Sequence, residues 1–203
     1  MPHFSLKKHT DHSIIFEGNY ASLKDCLEHA VERNISLSHV NLKNHNLTNA
    51  NIDNADMPYA DLSGTNLTGA NLSEADISNA LFHNCGLYNT CLSESNLKNS
   101  DFRGASFGAT LINGANLRGC VFSTLSACDL DFQHAADMFF CQYITTEGDH
   151  YNMSNPPIVI KGLLNVPIII FDDLIKIGSK TLSKTNMPQI SHILSFHTHK
   201  IIT

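Results

Sequence analysis

The sequence predicts an all-β solenoid, a chain wound into stacked four-sided coils with a helix before them and a small β-meander after. Three observations carry that expectation: large apolar residues recur at every fifth position, small residues stand two places before them, and residues twenty apart share character. Residues 60–80, ADLSGTNLTGANLSEADISNA, show all three, with Leu62, Leu67, Leu72 and Ile77 as the large residues and Ala60, Thr65, Ala70 and Ala75 as the small ones. A helix repeats every 3.6 residues and a strand every 2, so neither gives a period of five.

The central, large slot is filled at 18 consecutive positions from Leu37 to Phe122 without an insertion. The residue before it is mostly Asn or Asp, as at Asn41, Asn46, Asp56, Asp61 and Asp76. Such side chains hydrogen-bond nearby backbone and favour turns. One large and one small inward residue per five, with a turn former between, describes a chain that bends once per repeat. Fixed-period repeats stack to bury a continuous core. Four repeats per coil would place residues twenty apart above one another. The columns Leu42, Leu62, Phe82, Phe102, Phe122 and Leu47, Leu67, Leu87, Phe107 agree with this. At roughly 4.8 Å between strands, 4.5 such coils make a rod about 20 Å long.

The alternation Ala60-Asp61-Leu62-Ser63-Gly64 and Ala70-Asn71-Leu72-Ser73-Glu74 resembles the pentapeptide-repeat proteins, over Ile35 to Phe122 and less regularly to Phe132. The resemblance implies a right-handed quadrilateral parallel β-helix. It also implies a binding rather than catalytic role. Some members resemble B-form DNA in size and charge and bind DNA-handling enzymes, notably DNA gyrase, and those members tend to dimerise through their C-terminal ends.

The ends need closing, because an exposed strand edge invites further pairing. Residues 1–34 read as a cap: a strand at Ser13–Phe16, then a helix in ASLKDCLEHAVERN with Ser22 as N-cap and Asp25 three later. Leu23, Leu27, Ala30 and Val31 form its apolar face, and Asn34 suits its stop. Residues 35–143 are the repeat, its frame displaced after Phe122, and residues 144–156 read as a linker. Residues 157–203 form a β-rich module: Ile158–Lys161, Pro167–Phe171 and Leu174–Ile177 are its strands, and Pro167 favours an edge. Asp172-Asp173 reads as a turn, and Ile190, Ile193, Leu194 and His197 give one face of a short final helix.

Composition narrows the function. Lys and Arg number 13 against 19 Asp and Glu, without basic clusters, which argues against direct nucleic-acid binding. No apolar run is long enough to span a bilayer, and the N-terminus carries no basic-plus-apolar signal, so a cytoplasmic protein is expected. Six cysteines contain no C-x-x-C pair, and Cys85 and Cys120 occupy the small slot, where they read as small hydrophobes. His192, His197 and His199 lack metal-ligand spacing and read as a solvated tail. No nucleophile elbow organises the Ser, His and Asp residues. No cofactor, metal or catalytic residue is expected.

Between Ile35 and Phe132 the chain carries nine acids against Lys43, Lys98, Arg103 and Arg118. Asp53, Asp56, Asp61, Glu74, Asp76 and Glu94 are the candidate partner-binding residues, because rows of carboxylates are the field to which a DNA-binding partner's Lys and Arg respond. The expected function is a non-enzymatic scaffold or adaptor presenting a rigid surface to a protein partner. The alternative is a DNA mimic that inhibits or protects gyrase or another DNA-binding enzyme. A homodimer through the C-terminal module is a further expectation.

Overall fold

A computed structural model describes residues 1–183, apart from 146, 163, 173 and 179. The chain opens with an antiparallel hairpin of β1 (His3–Lys7) and β2 (Ile14–Asn19). The sequence suggested only the second of these strands. HFSLK buries only Leu6 fully, and so short an apolar signal is weak without its partner strand. Helix α1 (Leu23–Glu32) follows, and the Ser22 hydroxyl accepts the Asp25 N–H at its start. Asn34, in a left-handed conformation at φ 54°, turns the chain away at its end. The helix buries Cys26, Leu27 and Ala30 on the first coil, while Leu23 and Val31 are only partly covered.

From Leu37 onward the chain returns above itself every twenty residues. Parallel bridges join Asn41 to Asp61, Asp61 to Leu81 and Leu81 to Asp101, with equivalent series beginning at Asn46, Asn51 and Asp56. Four series make four walls, named here by those first residues. Most strands are a single bridge long. The longer ones are β3 (Gly86–Tyr88), β4 (Asp101–Phe102), β5 (Ser106–Gly108) and β6 (Val121–Phe122).

The sequence explains each feature of a repeat. Central residues point inward: Leu42, Leu62, Leu67, Phe82, Phe102 and Phe122 are all at most 1% exposed, and Phe107 is 6% exposed. Phe82, Phe102 and Phe122 stack at centroid separations of 4.5 and 5.3 Å. The Asn or Asp before the centre accepts the amide two residues on, as Asp61 does from Ser63 at 2.9 Å and Asn66 from Thr68 at 3.0 Å. Two places after the centre the backbone is left-handed, and Asn and Gly dominate there, as at Asn44, Asn54 and Gly64. Where the small slot is polar it mostly reaches a carbonyl in the coil before, Ser95 instead donating to Leu92 O of its own turn. Thr65 donates to Leu42 O at 2.7 Å, Ser100 to Ile77 O at 2.8 Å, and the thiols of Cys85 and Cys120 to Leu62 O and Leu97 O. All six cysteines are free, and burial pushes the Cys85 thiol up to about 12.

The last turn departs from the pattern. Two 3-10 segments, Leu125–Asp129 and Phe132–His134, occupy it. Asn116 bridges Asp137 and Val121 pairs with Gln142, each 21 residues on rather than 20. One extra residue has been accommodated, which is the displaced frame of the sequence. Residues 144–156 do not form the expected linker. They contain β8 (His150–Asn152), which turns back antiparallel on β7 (Gln142–Ile144) and completes the sheet that runs β4-β6-β7-β8. Tyr151 and Met153 are buried there, apolar residues that the surrounding polar sequence concealed.

β9 (Ile158–Ile160), β10 (Ile168–Ile170), β11 (Leu174–Ile177) and β12 (Lys180–Ser183) form an antiparallel meander in the order β12-β11-β10-β9. Pro167 does not mark an edge strand. It stands immediately before the inner strand β10, outside the ladder, so its missing N–H costs no pairing. Ile169 and Phe171 join the coil's own core, with Phe171 stacked on Tyr151 at 5.2 Å. The turn's Asp173, the proposed final helix and the histidines at 192, 197 and 199 lie outside the described residues.

Candidate protein-binding surface

The six candidate carboxylates do not share one surface. The bridge series put Asp56 and Asp76 on the Asp56 wall, Asp61 on the Asn41 wall, and Asp53, Glu74 and Glu94 on the Asn51 wall. Their local chemistry also differs. Asp61 and Asp76 each accept a backbone amide, from Ser63 and Ser78, so these carboxylates also serve their own turns. Asp76 accepts a second bond, from the Asn96 side chain at 3.0 Å. Asp56 is exposed and cannot make the equivalent turn bond, because residue 58 is proline and has no N–H.

The Asn51 wall is different in kind. Its outward residues over four coils are Asn51, Asp53 and Asn54, then Asn71, Ser73 and Glu74, then Cys91, Ser93 and Glu94, then Leu111, Asn113 and Gly114. None is basic. Glu74 and Glu94 occupy consecutive coils of one row, roughly 5 Å apart along the stack, with left-handed backbone at φ 57° and 59°. Both are exposed and have no ion-pair partner among the described residues. The Glu94 carboxylate leans over Gly114, filling the space a side chain there would need.

The cap extends this wall. The Glu28 carboxylate on α1 accepts the Asn51 N–H at 2.8 Å, satisfying an edge amide of the first coil. Glu28 and Glu32 thereby line a shallow concavity with Asn51 and Asp53. Lys24 lies 3.8 Å from Glu28 and offsets part of that charge. The sequence reading missed both glutamates, because nothing in a helix's own pattern says which wall it will dock beside.

The Asn41 wall is mixed instead. Asp101 is held between His83, at 2.8 Å, and Arg103. Burial pushes the Asp101 carboxyl upward, but hydrogen bonds from Arg103 and His83 outweigh it and leave it below the ordinary 3.8. The Asn46 wall carries no Asp, Glu, Lys or Arg from Asn46 to Ala109 and presents Asn, Thr, Gly and Tyr88. The Asp56 wall carries acids early, Lys98 and Arg118 late, and the exposed rings of Tyr59, Phe139 and Phe140.

Concave space sits where the last turn meets the meander. One cavity of about 410 Å³ is lined by Leu125, Cys128, Val159, Pro167 and the ion pair Lys161–Asp129 at 2.6 Å. Its neighbour, about 370 Å³, shares Leu125, Val166, Pro167 and Ile169 with it. Among the described residues no three His, Cys, Asp or Glu side chains converge to hold a metal, and no helix is long and apolar enough to cross a membrane.

Comparison with known proteins decides the family. A family model described as pentapeptide repeats (8 copies) matches residues 33–69, and one described as a pentapeptide repeat region matches residues 60–132. The chain belongs to the pentapeptide-repeat family. That family's fold is the quadrilateral β-helix, and its members are generally non-catalytic. Among solved structures the pentapeptide-repeat chain is similar to HetL, a pentapeptide repeat protein involved in heterocyst differentiation regulation in the cyanobacterium Nostoc sp. strain PCC 7120. The identity is 29%, over 44% of this chain and 39% of that one, with a TM-score of 0.43. A pentapeptide repeat protein of the Arabidopsis thaliana thylakoid lumen is 26% identical over 40% of this chain and 64% of its own, with a TM-score of 0.22. QnrB1, a plasmid-mediated fluoroquinolone resistance protein, is 17% identical over 51% of this chain and 59% of its own, with a TM-score of 0.24. The chain spans less than two thirds of each of these relatives. Comparison with curated proteins returned no match.

Proposed function

We propose that this chain is a non-enzymatic binding protein whose right-handed quadrilateral coil, residues 35–143, holds a surface rigid for a protein partner. Residues 1–34 cap the coil and residues 157–183 belong to a small module at its far end. The observation that carries the reading is the Asn51 wall: Asp53, Glu74 and Glu94 without a basic residue, extended by Glu28 and Glu32. The stacked backbone that carries them is already ordered, so a basic partner surface meets them at the cost of side-chain freedom alone. They also steer its approach.

DNA mimicry is the second reading, favoured by the same wall, since Glu74 and Glu94, one coil apart in one row and without ion pairs among the described residues, present to a DNA-binding enzyme what phosphates present. Asp56, Asp61 and Asp76 would contribute less to either reading, being on other walls and, for Asp61 and Asp76, engaged in their own turns. The Asp53→Asn/Glu74→Gln/Glu94→Gln variant tests both. Binding to a captured partner should weaken, its salt dependence should flatten, and Asp61→Asn should change neither. If DNA gyrase is the partner, the same variant should lose its effect in a supercoiling assay. Unchanged binding by the triple variant would remove the Asn51 wall from the account.

A further inference from the structure

The Asn46 wall differs from its neighbours in combining an absence of charge with unused hydrogen-bonding groups. From Asn46 to Ala109 its outward positions hold amides, hydroxyls, glycines, one alanine and one tyrosine. On the Asn51 and Asp56 walls the asparagines satisfy one another. The side-chain amide of Asn71 donates to Asn51 Oδ1 at 3.0 Å, Asn96 to Asp76 Oδ1 at 3.0 Å, and Asn99 to Asn79 Oδ1 at 3.2 Å. Asn66 lies one coil beyond Asn46 and makes no such bond. Asn46 Oδ1 already accepts the amide and the hydroxyl of Thr48, at 3.1 and 2.6 Å, and Asn66 Oδ1 accepts the Thr68 amide at 3.0 Å. The turns therefore use the oxygens and leave both Nδ2 groups without a partner among the described residues. The exposed Asn89 side chain has none either.

Tyr88, on β3, stands in the middle of this wall and is 47% exposed. Glycines surround it. Gly108 is its partner on β5, and a Cβ there would lie 2.9 Å from Tyr88 Cδ1, so the ring uses space that only glycine leaves. Gly86 separates the ring from the free amide: a Cβ at Gly86 would lie 3.5 Å from Asn66 Oδ1 and 4.0 Å from Tyr88 Cδ2. Ring and amide thus flank one open gap. Other exposed rings are already engaged, Tyr59 stacking on His39 at 4.9 Å and Phe140 meeting the Arg118 guanidinium at 4.8 Å. Among the described residues no ring or cation stacks on Tyr88, and its hydroxyl has no partner.

We infer that the Asn46 wall binds a neutral, extended β-linked polysaccharide, with a sugar ring stacked on Tyr88. Charge selects the class of occupant. A wall without acid or base exerts no pull on a nucleic acid, an anionic lipid surface or a charged protein patch, whereas a neutral polyol needs none. The face of an aromatic ring is electron-rich, and the C–H face of a pyranose, polarised by its own oxygens, is the complement. Sugar hydroxyls both donate and accept, and the free amides of Asn66 and Asn89 beside the ring can bond them in one plane. The wall is flat rather than concave, so it meets the side of an extended chain and not its end. Asn46 continues the row of Asn66 one coil away, roughly 5 Å along the stack, for a neighbouring sugar. No residue of the acidic Asn51 wall takes part, so a partner lost from that wall leaves this site intact.

The test is depletion of the full chain from solution by particles of cellulose and of β-mannan, in low and high salt. Starch serves as the α-linked comparison and cross-linked polygalacturonate as the anionic one. The wild type should bind cellulose or β-mannan to the same extent at both salt concentrations, because no charge is involved. Tyr88→Ala should weaken binding about tenfold or more, while Tyr88→Phe keeps most of it, since the ring carries the stacking. Asn66→Asp keeps the oxygen that holds the turn and removes only the free donor. The same slot carries Asp61 and Asp76, so the coil tolerates that variant, and it should bind severalfold more weakly than wild type with unchanged melting. Asp53→Asn/Glu74→Gln/Glu94→Gln should bind as wild type does. A wild type that neither neutral β-glycan depletes would overturn the inference. So would equal binding by Tyr88→Ala, or binding confined to starch or polygalacturonate.

Discussion

The two ends of the coil are closed by different means. At the start, α1 lays Cys26, Leu27 and Ala30 over the first coil, Glu28 accepts the edge amide of Asn51, and Asn41 N–H reaches Lys7 O at 2.7 Å on the hairpin. The core is covered there and two of the edge amides are engaged, while no described residue partners the Asn46 N–H. At the finish, the extra residue and the two 3-10 segments break the register, β8 covers one wall, the meander inserts Ile169 and Phe171, and no described residue pairs with the edge of the Asp56 wall. A stacked coil propagates wherever edge groups point outward, so each end must cover its core and turn its edge away from further pairing.

The comparison breaks most readily in the core. Phe102→Ala, in the middle of the stacked column, should cost about 3–5 kcal/mol in denaturant unfolding, because its neighbours above and below cannot collapse together without losing the coil spacing. Ser63→Ala, on an outer wall of the same repeat, should cost less than about 0.5 kcal/mol. Equal losses would mean that the coil's inside and outside are wrongly assigned.

A middle-sized effect separates regular coil from irregular end. Gly64 is left-handed at φ 69°, and the Asn44 side chain fills the space where a Cβ would go, so Gly64→Ala should destabilise by about 1–2 kcal/mol. Gly148, beyond the last turn, is also left-handed at φ 87° but has nothing within 4 Å. Gly148→Ala should therefore cost less, by the amount of the lost packing. Thermal unfolding of the pair measures that difference directly.

The smallest effect is electrostatic. The Asp101 carboxyl lies below its ordinary 3.8 because Arg103 and His83 hydrogen-bond its charged form against the opposing effect of burial. A carboxylate lowered in the folded state stabilises above its unfolded value, and the contribution disappears as pH falls through the folded one. Asp101→Asn should cost about 1 kcal/mol at neutral pH, the scale of a half-exposed ion pair. The gap between variant and wild type should close as pH drops below about 4. A gap that persists in acid would assign the effect to packing.

How much of this was legible from sequence follows the same division. The repeat announces itself because each position has one job: Leu62 fills the core, Asp61 turns the chain and Thr65 bonds the coil before. The irregular end does not, because its residues answer to distant partners. Nothing local to HYNMS indicates that Tyr151 stacks on Phe171, and nothing in residues 133–144 reports the inserted residue except a frame that no longer fits. The carboxylates were readable both as a set and by wall. Counting by twenty assigns Asp53, Glu74 and Glu94 to one side, yet Glu28 and Glu32 join them only once the cap is docked. Pro58, which denies Asp56 its turn bond, was visible in the sequence and gained meaning only beside the bonds made by Asp61 and Asp76.

The most direct measurement is a parallel capture from nuclease-treated lysate on three immobilised chains: wild type, Asp53→Asn/Glu74→Gln/Glu94→Gln, and Asp61→Asn, eluted by rising salt and followed by titration of the recovered protein. The account predicts a partner that binds wild type and Asp61→Asn alike, leaves at moderate salt, and is lost from the triple variant. A partner that stays on the triple variant through high salt would contradict it and move the binding surface off the Asn51 wall.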